Sequence, residues 1–260
     1  MDYSDTHPAC ENRVSPLIYV ILLAYNEEKN IGGVIQEIAR TLLSEDFKIV
    51  VVNDGSSDQT KARVEALSPA CHTLVIDHET NRGVSEGFRT GLSHVAEKGQ
   101  GEDIAVTMEG DGTNDCATLP GMVRKIREGF DIVCASRYRA GGGYSHFPGL
   151  RLVYSRGANF ILSLFFPIEG VRDYTIFYRG YRVRAVQRGL LHYGRALVTS
   201  KSFAVNAEIL IKLHRLGLRV AEVPVRYNYG NKQSRSQIRI LKTILEYLKL
   251  CWKGAICRQF

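Results

Sequence analysis

The chain has 260 residues, 45% hydrophobic and 23% charged, a composition ordinary for a soluble globular protein and long enough to bury an ample core in one large domain or a domain with an appendage. No apolar run approaches the ~18 residues that a bilayer-spanning helix requires. The net charge of +7 is unevenly divided: residues 1–123 hold 9 Lys/Arg and 20 Asp/Glu (−11), and residues 124–260 hold 25 and 7 (+18). A basic half of that kind suits nucleic acid, an anionic membrane surface or phosphorylated substrates.

Residues 1–15 are polar, carry Asp2, Asp5 and Glu11, and lack an apolar stretch, so they read as a loose leader and not a secretory signal. Strands are expected at 17–24, 48–53, 73–77, 104–108 and 132–135. Helices are expected between them, at 31–42, 61–67, 83–96 and 119–127. Apolar strands alternating with amphipathic helices predict a mostly parallel sheet covered on both faces. The glycine-rich stretch 140–143 reads as a mobile loop joining the halves. Beyond it come a helical pattern to Phe166, a strand-like stretch at 174–183, a helix at 207–216, a strand at 219–227, a polar loop at 228–236 and a terminal helix from Gln237. That helix puts Ile238, Leu241, Leu245, Leu248 and Trp252 on one face. A basic amphipathic helix with a tryptophan suits a membrane interface, and packing its stripe on its own domain is the alternative. The cysteines, Cys10, Cys71, Cys116, Cys134, Cys251 and Cys257, form no CxxC pair. They read as reduced thiols in a cytosolic protein.

Three strand ends carry the polar chemistry. The first runs into Ala24-Tyr25-Asn26-Glu27-Glu28, the second into Asn53-Asp54-Gly55-Ser56-Ser57-Asp58, and the fourth into Glu109-Gly110-Asp111-Gly112-Thr113-Asn114-Asp115. Ligands in open α/β sheets bind at the carboxyl ends of strands. Two carboxylates one residue apart suit a hard divalent cation that also touches a phosphate, and an acidic turn capping the next helix is the competing account. Asp54 beside Gly55 leaves room for a base or ribose, Tyr25 can stack on a base, and Asn81-Arg82-Gly83 precedes a helix in a geometry that can orient a phosphate.

These motifs, with Ala135-Ser136-Arg137-Tyr138, resemble the inverting glycosyltransferases of family 2. Three further stretches resemble the dolichyl- and polyprenyl-phosphate mannose or glucose synthases within that family: Ser155 to Phe160, Asp173-Tyr174-Thr175 with Arg179 and Arg182, and Glu222-Val223-Pro224-Val225 with Ser234-Arg235. The resemblance covers roughly residues 17–245. It implies an α/β GT-A (Rossmann-like) fold, with a mostly parallel sheet, helices on both faces and C-terminal acceptor-side helices. The expected domain spans 16–236, with a nucleotide-sugar half at 16–139 and an acceptor half at 140–236, followed by the helix at 237–260.

The implied reaction moves one hexose, of mannose or glucose type, from a nucleotide diphosphate sugar (GDP- or UDP-linked) to a polyprenyl or dolichyl phosphate. The implied roles are nucleotide binding by Ala24, Tyr25, Glu27, Asn53, Asp54 and Glu109, and Mg²⁺ or Mn²⁺ binding by Glu109, Asp111 and Thr113. Phosphate and acceptor binding fall to Arg137, Arg151, Arg179, Lys232, Ser234 and Arg235, and catalysis to Asp111, Arg137 and Arg179. Such an enzyme would be cytoplasmic and peripheral on a membrane. A nucleoside diphosphate leaving group gains charge as the sugar C1–oxygen bond breaks, and fixed guanidiniums and a divalent cation stabilise that charge. Arginine suits phosphate because its planar fork donates two parallel hydrogen bonds.

The chain departs from the family pattern at several places. Glu109 stands where Asp is usual, Thr113 where Gln is frequent, and Ile176-Phe177 where a small Ser-Gly pair is usual. The loop after Pro224 is one residue shorter and lacks an arginine, for which Lys232 would compensate, and Arg235 replaces a lysine. Two alternatives stand beside this reading. Transfer to a saccharide or small-molecule hydroxyl would need a carboxylate base, for which Asp173 and Glu208 are the candidates. A non-catalytic basic nucleotide- or nucleic-acid-binding protein would satisfy the charge, but no helix-turn-helix, zinc or aromatic-sheet signature supports nucleic acid. No Gln-x-x-Arg-Trp stretch of a processive synthase is present.

Overall fold

The computed structural model describes residues 15–234 and 240–256, the last two by backbone alone. Residues 1–14 of the leader, Arg235, Gln237 and Ile238 lie outside the described residues. The first half contains β1 (Ile18–Ala24), α1 (Ile31–Thr41), β2 (Phe47–Asn53), α2 (Thr60–Cys71), β3 (Thr73–Asp77), α3 (Val84–Lys98), β4 (Ile104–Glu109), α4 (Leu119–Arg127) and β5 (Ile132–Ser136). The second half adds β6 (Gly143–Ser145), α5 (Gly149–Phe165), β7 (Arg179–Arg182), α6 (Val183–Tyr193), α7 (Val205–Arg215), β8 (Val220–Pro224), β9 (Arg226–Asn228) and α8 (Ile240–Cys251).

A seven-stranded sheet has the order β3-β2-β1-β4-β7-β5-β8. All its pairings are parallel except those of β7, which runs antiparallel to β4 and to β5. The strands are nearly continuous apolar runs because both faces are covered. On one face Ile31, Val34, Ile35 and Ile38 of α1, Val64 of α2 and Met122, Val123 and Ile126 of α4 meet Ile18, Val20, Ile49, Val51, Ile104 and Val106. On the other, Phe88, Leu92 and Val95 of α3 join Val183 and Val186 of α6 and Ile209, Leu210 and Leu213 of α7 over Tyr19, Ile21, Val50 and Ala105.

Register places the chemistry. Ala24 lies opposite Asn53, Asn53 opposite Asp77, and Leu23 opposite Glu109. Strands β1 to β4 therefore end at one level, where their loops share a crevice.

The second half departs from its sequence pattern in three places. The strand expected at 174–183 is a strand only at Arg179–Arg182, and the helix α6 that follows was not signalled. The aromatic stretch before β7 is buried coil: Tyr174, Ile176, Phe177 and Tyr178 are core residues whose burial imitates a strand. The expected strand 219–227 breaks at Pro224, which has no N–H to donate; β8 stays in the main sheet and β9 pairs with β6 in a separate two-stranded ribbon. The glycine-rich 140–143 stretch is a pinned turn: Gly142 N donates to Arg139 O at 2.8 Å and Gly143 N to Val225 O at 3.0 Å.

Candidate active site

The turns after β1 and β2 are knit to each other. Asn26 N donates to Ser56 Oγ (2.9 Å), Glu27 N to Thr60 Oγ1 (2.8 Å) and Ser57 N to Asn26 Oδ1 (2.9 Å). Asp54 fixes the next turn: Oδ1 accepts from Arg82 N (2.9 Å) and meets His78 Nδ1 (2.8 Å), while Oδ2 accepts from Gly83 N (2.8 Å). Gly55 is obligatory here, because its φ is +67° and a Cβ would sit 2.4 Å from the Thr80 carbonyl carbon. Asn53 lies beneath the cleft, donating Nδ2 to Asp77 Oδ1 (2.5 Å) and accepting from Ser56 Oγ (2.5 Å). Its side chain is a brace for these turns.

Above these turns lies a cavity of about 410 Å³, lined at one end by Ala24, Tyr25, Asp54, Asn81 and Gly83 and at the other by Glu27, Glu109, Asp111 and Lys232. The Glu109–Asp111 turn is compact because Gly110 has no side chain; a Cβ there would come within 2.9 Å of Ile31 Cδ1. Asp111 Oδ1 accepts from Thr113 N (3.1 Å) and Thr113 Oγ1 (2.6 Å). Thr113 is buried and does not line the cavity, so it aims Asp111 instead of reaching a ligand itself. Burial, then the adjacent Asp111 charge, pushes the Glu109 carboxyl up to about 8 against the nearby Lys232 and Arg137 cations. Burial also raises Glu27, whose side chain accepts from Asn30 Nδ2 (3.0 Å) and Ser234 Oγ (2.6 Å). Lys232 pairs with Asp111 and lies 3.8 Å from Glu27 Oε1.

Among the described residues no three His, Cys, Asp or Glu side chains converge into a complete metal cage. A lysine ammonium nevertheless stands against Asp111 between carboxylates, which marks the place as a cation position. Asp111 and Glu109 fit a Mg²⁺ or Mn²⁺ that takes its remaining oxygens from a diphosphate and water.

A second chamber of about 140 Å³ shares Glu109, Arg151, Phe177, Phe203, Tyr227 and Tyr229 with the first and reaches the flanks of α5 and α8 at Tyr154, Ala158, Ile240, Ile244 and Tyr247. Arg137 forms its basic wall. Its Nε and Nη2 donate to the two Asp173 oxygens (2.8 Å each), and Nη2 also meets Thr175 Oγ1 (2.9 Å) and Ser155 Oγ (3.2 Å). Nη1 takes part in none of these bonds. The loop holding Asp173 is itself pinned, since Glu222 Oε1 accepts from Arg172 N (2.7 Å) and Asp173 N (2.8 Å) and Asn159 Oδ1 accepts from Tyr174 N (2.6 Å). The Arg137 charge holds the buried Asp173 carboxyl below its ordinary range in spite of desolvation. Arg151 donates to the Tyr229 hydroxyl at 2.8 Å.

Arg179 does not join this group. It is fully buried beneath the sheet, donating to the carbonyls of Asn206, Tyr174 (3.2 Å) and Ile176 (3.4 Å). Antiparallel β7 turns its side chain toward α7, away from the strand ends, and Arg179 lines neither chamber. Arg235 lies outside the described residues. The cleft also contains groups with no sequence signal: Lys201, Ser202 and Phe203 from the loop before α7, and Lys242 and Thr243 from α8. Ser85 and Arg89 of α3 hold that loop, by bonds of 2.5 Å to Ser200 O and Val198 O. Only tertiary packing brings it over the carboxylates.

The family model "Glycosyl transferase family 2" matches residues 19–190, most of the chain and every strand end that forms the cleft. The chain belongs to glycosyltransferase family 2. This family 2 glycosyltransferase is 28% identical over 248 residues to a dolichol-phosphate mannosyltransferase of Pyrococcus furiosus, covering 93% of the chain and 66% of that relative's length. It is 29% identical over 226 residues to a polyprenol monophosphomannose synthase of Mycolicibacterium smegmatis (85% and 82% covered). A UDP-N-acetylglucosamine–dolichyl-phosphate N-acetylglucosaminyltransferase of Methanococcus voltae is 27% identical (82% and 86%). Among solved structures, glucosyl-3-phosphoglycerate synthase of Mycobacterium tuberculosis, with Mn²⁺, UDP and glucosyl-3-phosphoglycerate, superposes with a TM-score of 0.63 at 20% identity, covering 91% of this chain and 80% of the other. The family 2 enzyme therefore has the GT-A fold.

Proposed function

We propose that the protein transfers a single hexose, of mannose or glucose type, from a GDP- or UDP-linked donor to a polyprenyl or dolichyl phosphate, with inversion and with Mg²⁺ or Mn²⁺. The observation that carries this reading is the basic second chamber joined to the acidic donor cavity. Arg137 and Arg151 face it, and its far wall is apolar. An anionic acceptor needs charge compensation and an oily channel for its chain, and it needs no general base. The two carboxylates that could serve a hydroxyl acceptor are otherwise engaged. Asp173 gives both oxygens to Arg137, and Glu208 is buried against Lys212 and the 199–200 backbone. Glu109, the one carboxylate among the described residues that line the second chamber, is paired in space with Asp111 on the cation side.

In this reading Tyr25 and Asp54 bound the base, and Asp111 and Glu109 hold the diphosphate's cation. A bound divalent cation stabilises the charge that develops on the leaving diphosphate. Arg137, immobilised by Asp173, and Arg151 hold the acceptor phosphate in line with the sugar, so little reorganisation is needed as charge moves. The same geometry supports membrane contact. Described helices α5 and α8 flank the second chamber and leave apolar side chains in solvent, among them Phe160 (70% exposed), Leu164 (68%) and Leu241 (76%), with Trp252 (61%) just beyond α8. None of the described helices is long and apolar enough to cross a membrane.

The test is a panel of labelled nucleotide sugars with Mg²⁺ or Mn²⁺ and a polyprenyl phosphate, with label counted in the organic phase. Label found only on water-soluble acceptors would refute the lipid-phosphate acceptor. Equal transfer by Asp111→Ala would refute the cation site.

A further inference from the structure

Strand β9 and the strap that follows it are tied to the acidic turn by polar contacts along their length. Tyr227 Oη reaches Glu109 Oε2 at 3.5 Å, Asn228 N donates to Thr113 O at 3.0 Å, and Asn231 Nδ2 donates to Gly112 O at 3.1 Å. Lys232 then meets Asp111 and Glu27, and Ser234 Oγ donates to Glu27 at 2.6 Å. The Lys232 side chain is only 12% exposed. By contrast Gly230, Asn231 and Gln233 beside it are exposed. Tyr227 and Tyr229 pack edge-on against Phe147, but beyond Tyr229 the strap is anchored by polar bonds, the character of segments that open locally.

We propose that Lys232 is a tethered counter-cation that holds the position of the divalent cation in the nucleotide-free protein. Metal entry displaces it, releases the strap from Asp111 and Glu27, and hands the ammonium to the donor's diphosphate. A dication cannot lie against Asp111 Oδ2 while the ammonium does, because the two positive charges would be at contact distance. The long flexible lysine stem allows the exchange, which a fork-bound arginine such as Arg137 would resist. One ammonium also uses only part of the carboxylate oxygens that Glu27, Glu109 and Asp111 bring together, so the position suits a dication once a diphosphate can receive the displaced lysine. The inference deepens the donor-site reading proposed above and rests on it. Its consequence is thermodynamic: metal and nucleoside diphosphate must bind cooperatively, each relieving the competition the other meets.

The experiment measures free Mn²⁺ by electron paramagnetic resonance during titration of the full chain, with and without UDP or GDP, for the wild type, Lys232→Met and Lys232→Arg. Lys232→Met is expected to bind Mn²⁺ alone about fivefold or more tightly, and to bind nucleoside diphosphate with Mn²⁺ more weakly by a similar factor, a coupling of ordinary allosteric size. Lys232→Arg keeps the competing charge, held more firmly by the planar fork, and is expected to bind Mn²⁺ no more tightly than the wild type. Unchanged or weakened Mn²⁺ binding by Lys232→Met overturns the proposal. The wild type supplies a check that needs no variant: Mn²⁺ alone should raise the reactivity of Lys232 toward an amine-acylating reagent, read by mass spectrometry, and nucleoside diphosphate should lower it again. Lys232 reactivity indifferent to Mn²⁺ also overturns it. Failure of the donor reading looks different, since the wild type then binds neither UDP nor GDP whatever the metal, while competition between Lys232 and Mn²⁺ remains measurable.

Discussion

Arg137 and Arg179 are both buried guanidiniums from motif positions, yet their surroundings assign them opposite work. Arg137 is clamped by Asp173 at the mouth of the second chamber, whereas Arg179 spends its donors on main-chain carbonyls under the sheet. Arg179→Met leaves those carbonyls unpaired and is expected to lower unfolding free energy by about 2–4 kcal/mol, with transfer per folded molecule kept within about threefold. Denaturant unfolding combined with active-site titration separates the two quantities, and a loss of turnover with unchanged stability would return Arg179 to catalysis. Asp173→Asn breaks a buried ion pair and is expected to cost about 3–5 kcal/mol near neutral pH. Because the folded-state pKa of Asp173 is depressed, the pair's stabilisation is present above the unfolded value of about 3.9 and is lost as pH falls through that value and below. The gap between wild type and variant should therefore narrow as the pH falls below about 4 in acid titrations of unfolding. Residue types at both arginines were legible in the sequence. Their directions were not, because the register of antiparallel β7 turns Arg179 inward and no local pattern records that register.

At the scale of elements, the first half was readable because each strand and helix carries its own periodicity and ends in a polar turn. The second half hides its structure where burial imitates strand pattern, as in Tyr174–Tyr178, and where a short strand runs directly into a helix, as at Arg182–Val183. The cleft's Lys201–Phe203 wall had no signal at all, since nothing local distinguishes it from a surface loop. The amphipathic stripe of the last helix was visible, and the structure resolves its two readings element by element. Thr243, Tyr247, Leu250 and Cys251 of α8 are buried, while Leu241, Leu245 and Leu248, with Trp252 just beyond the helix, remain in solvent. The exposed side is available to a bilayer because it is not used in packing. Replacing Leu248 and Trp252 together by serine should lower partitioning onto anionic vesicles at least about tenfold, because two large apolar groups no longer leave water. The melting temperature should change little, as expected for surface substitutions. Sedimentation with vesicles and a thermal melt on the same preparation decide it; a large fall in melting temperature would mean that these side chains pack within the protein.

At the scale of the whole molecule, the charge division becomes spatial. The turns after β1, β2 and β4 place Glu27, Asp54, Glu109 and Asp111 in the donor cavity, and the second half brings Arg137, Arg151, Lys201, Lys232 and Lys242 around the same opening. Lys249 and Arg156 lie outside it on the helices that carry the exposed apolar side chains. Arg137 and Lys232 inside the cleft are largely buried and paired, so salt reaches them poorly, whereas Arg156 and Lys249 on α5 and α8 face solvent and are screened beyond a Debye length of about 10 Å at 0.1 M salt. Raising salt from about 50 to 500 mM should therefore act on the two kinds of acceptor differently. Transfer to a long-chain polyprenyl phosphate in anionic vesicles should fall several-fold, following the loss of bound protein, since each exposed lysine or arginine near the surface contributes about 1 kcal/mol of attraction. Transfer to a short, water-soluble polyprenyl phosphate should fall by no more than about twofold, because its phosphate is held by desolvated guanidiniums. Neutral vesicles provide the internal comparison, since the apolar side chains alone remain to bind them and salt should matter little there. Equal salt sensitivity for the soluble and the vesicle-borne acceptor would place the electrostatic attraction inside the cleft and leave the exposed basic surface without a role in finding the lipid.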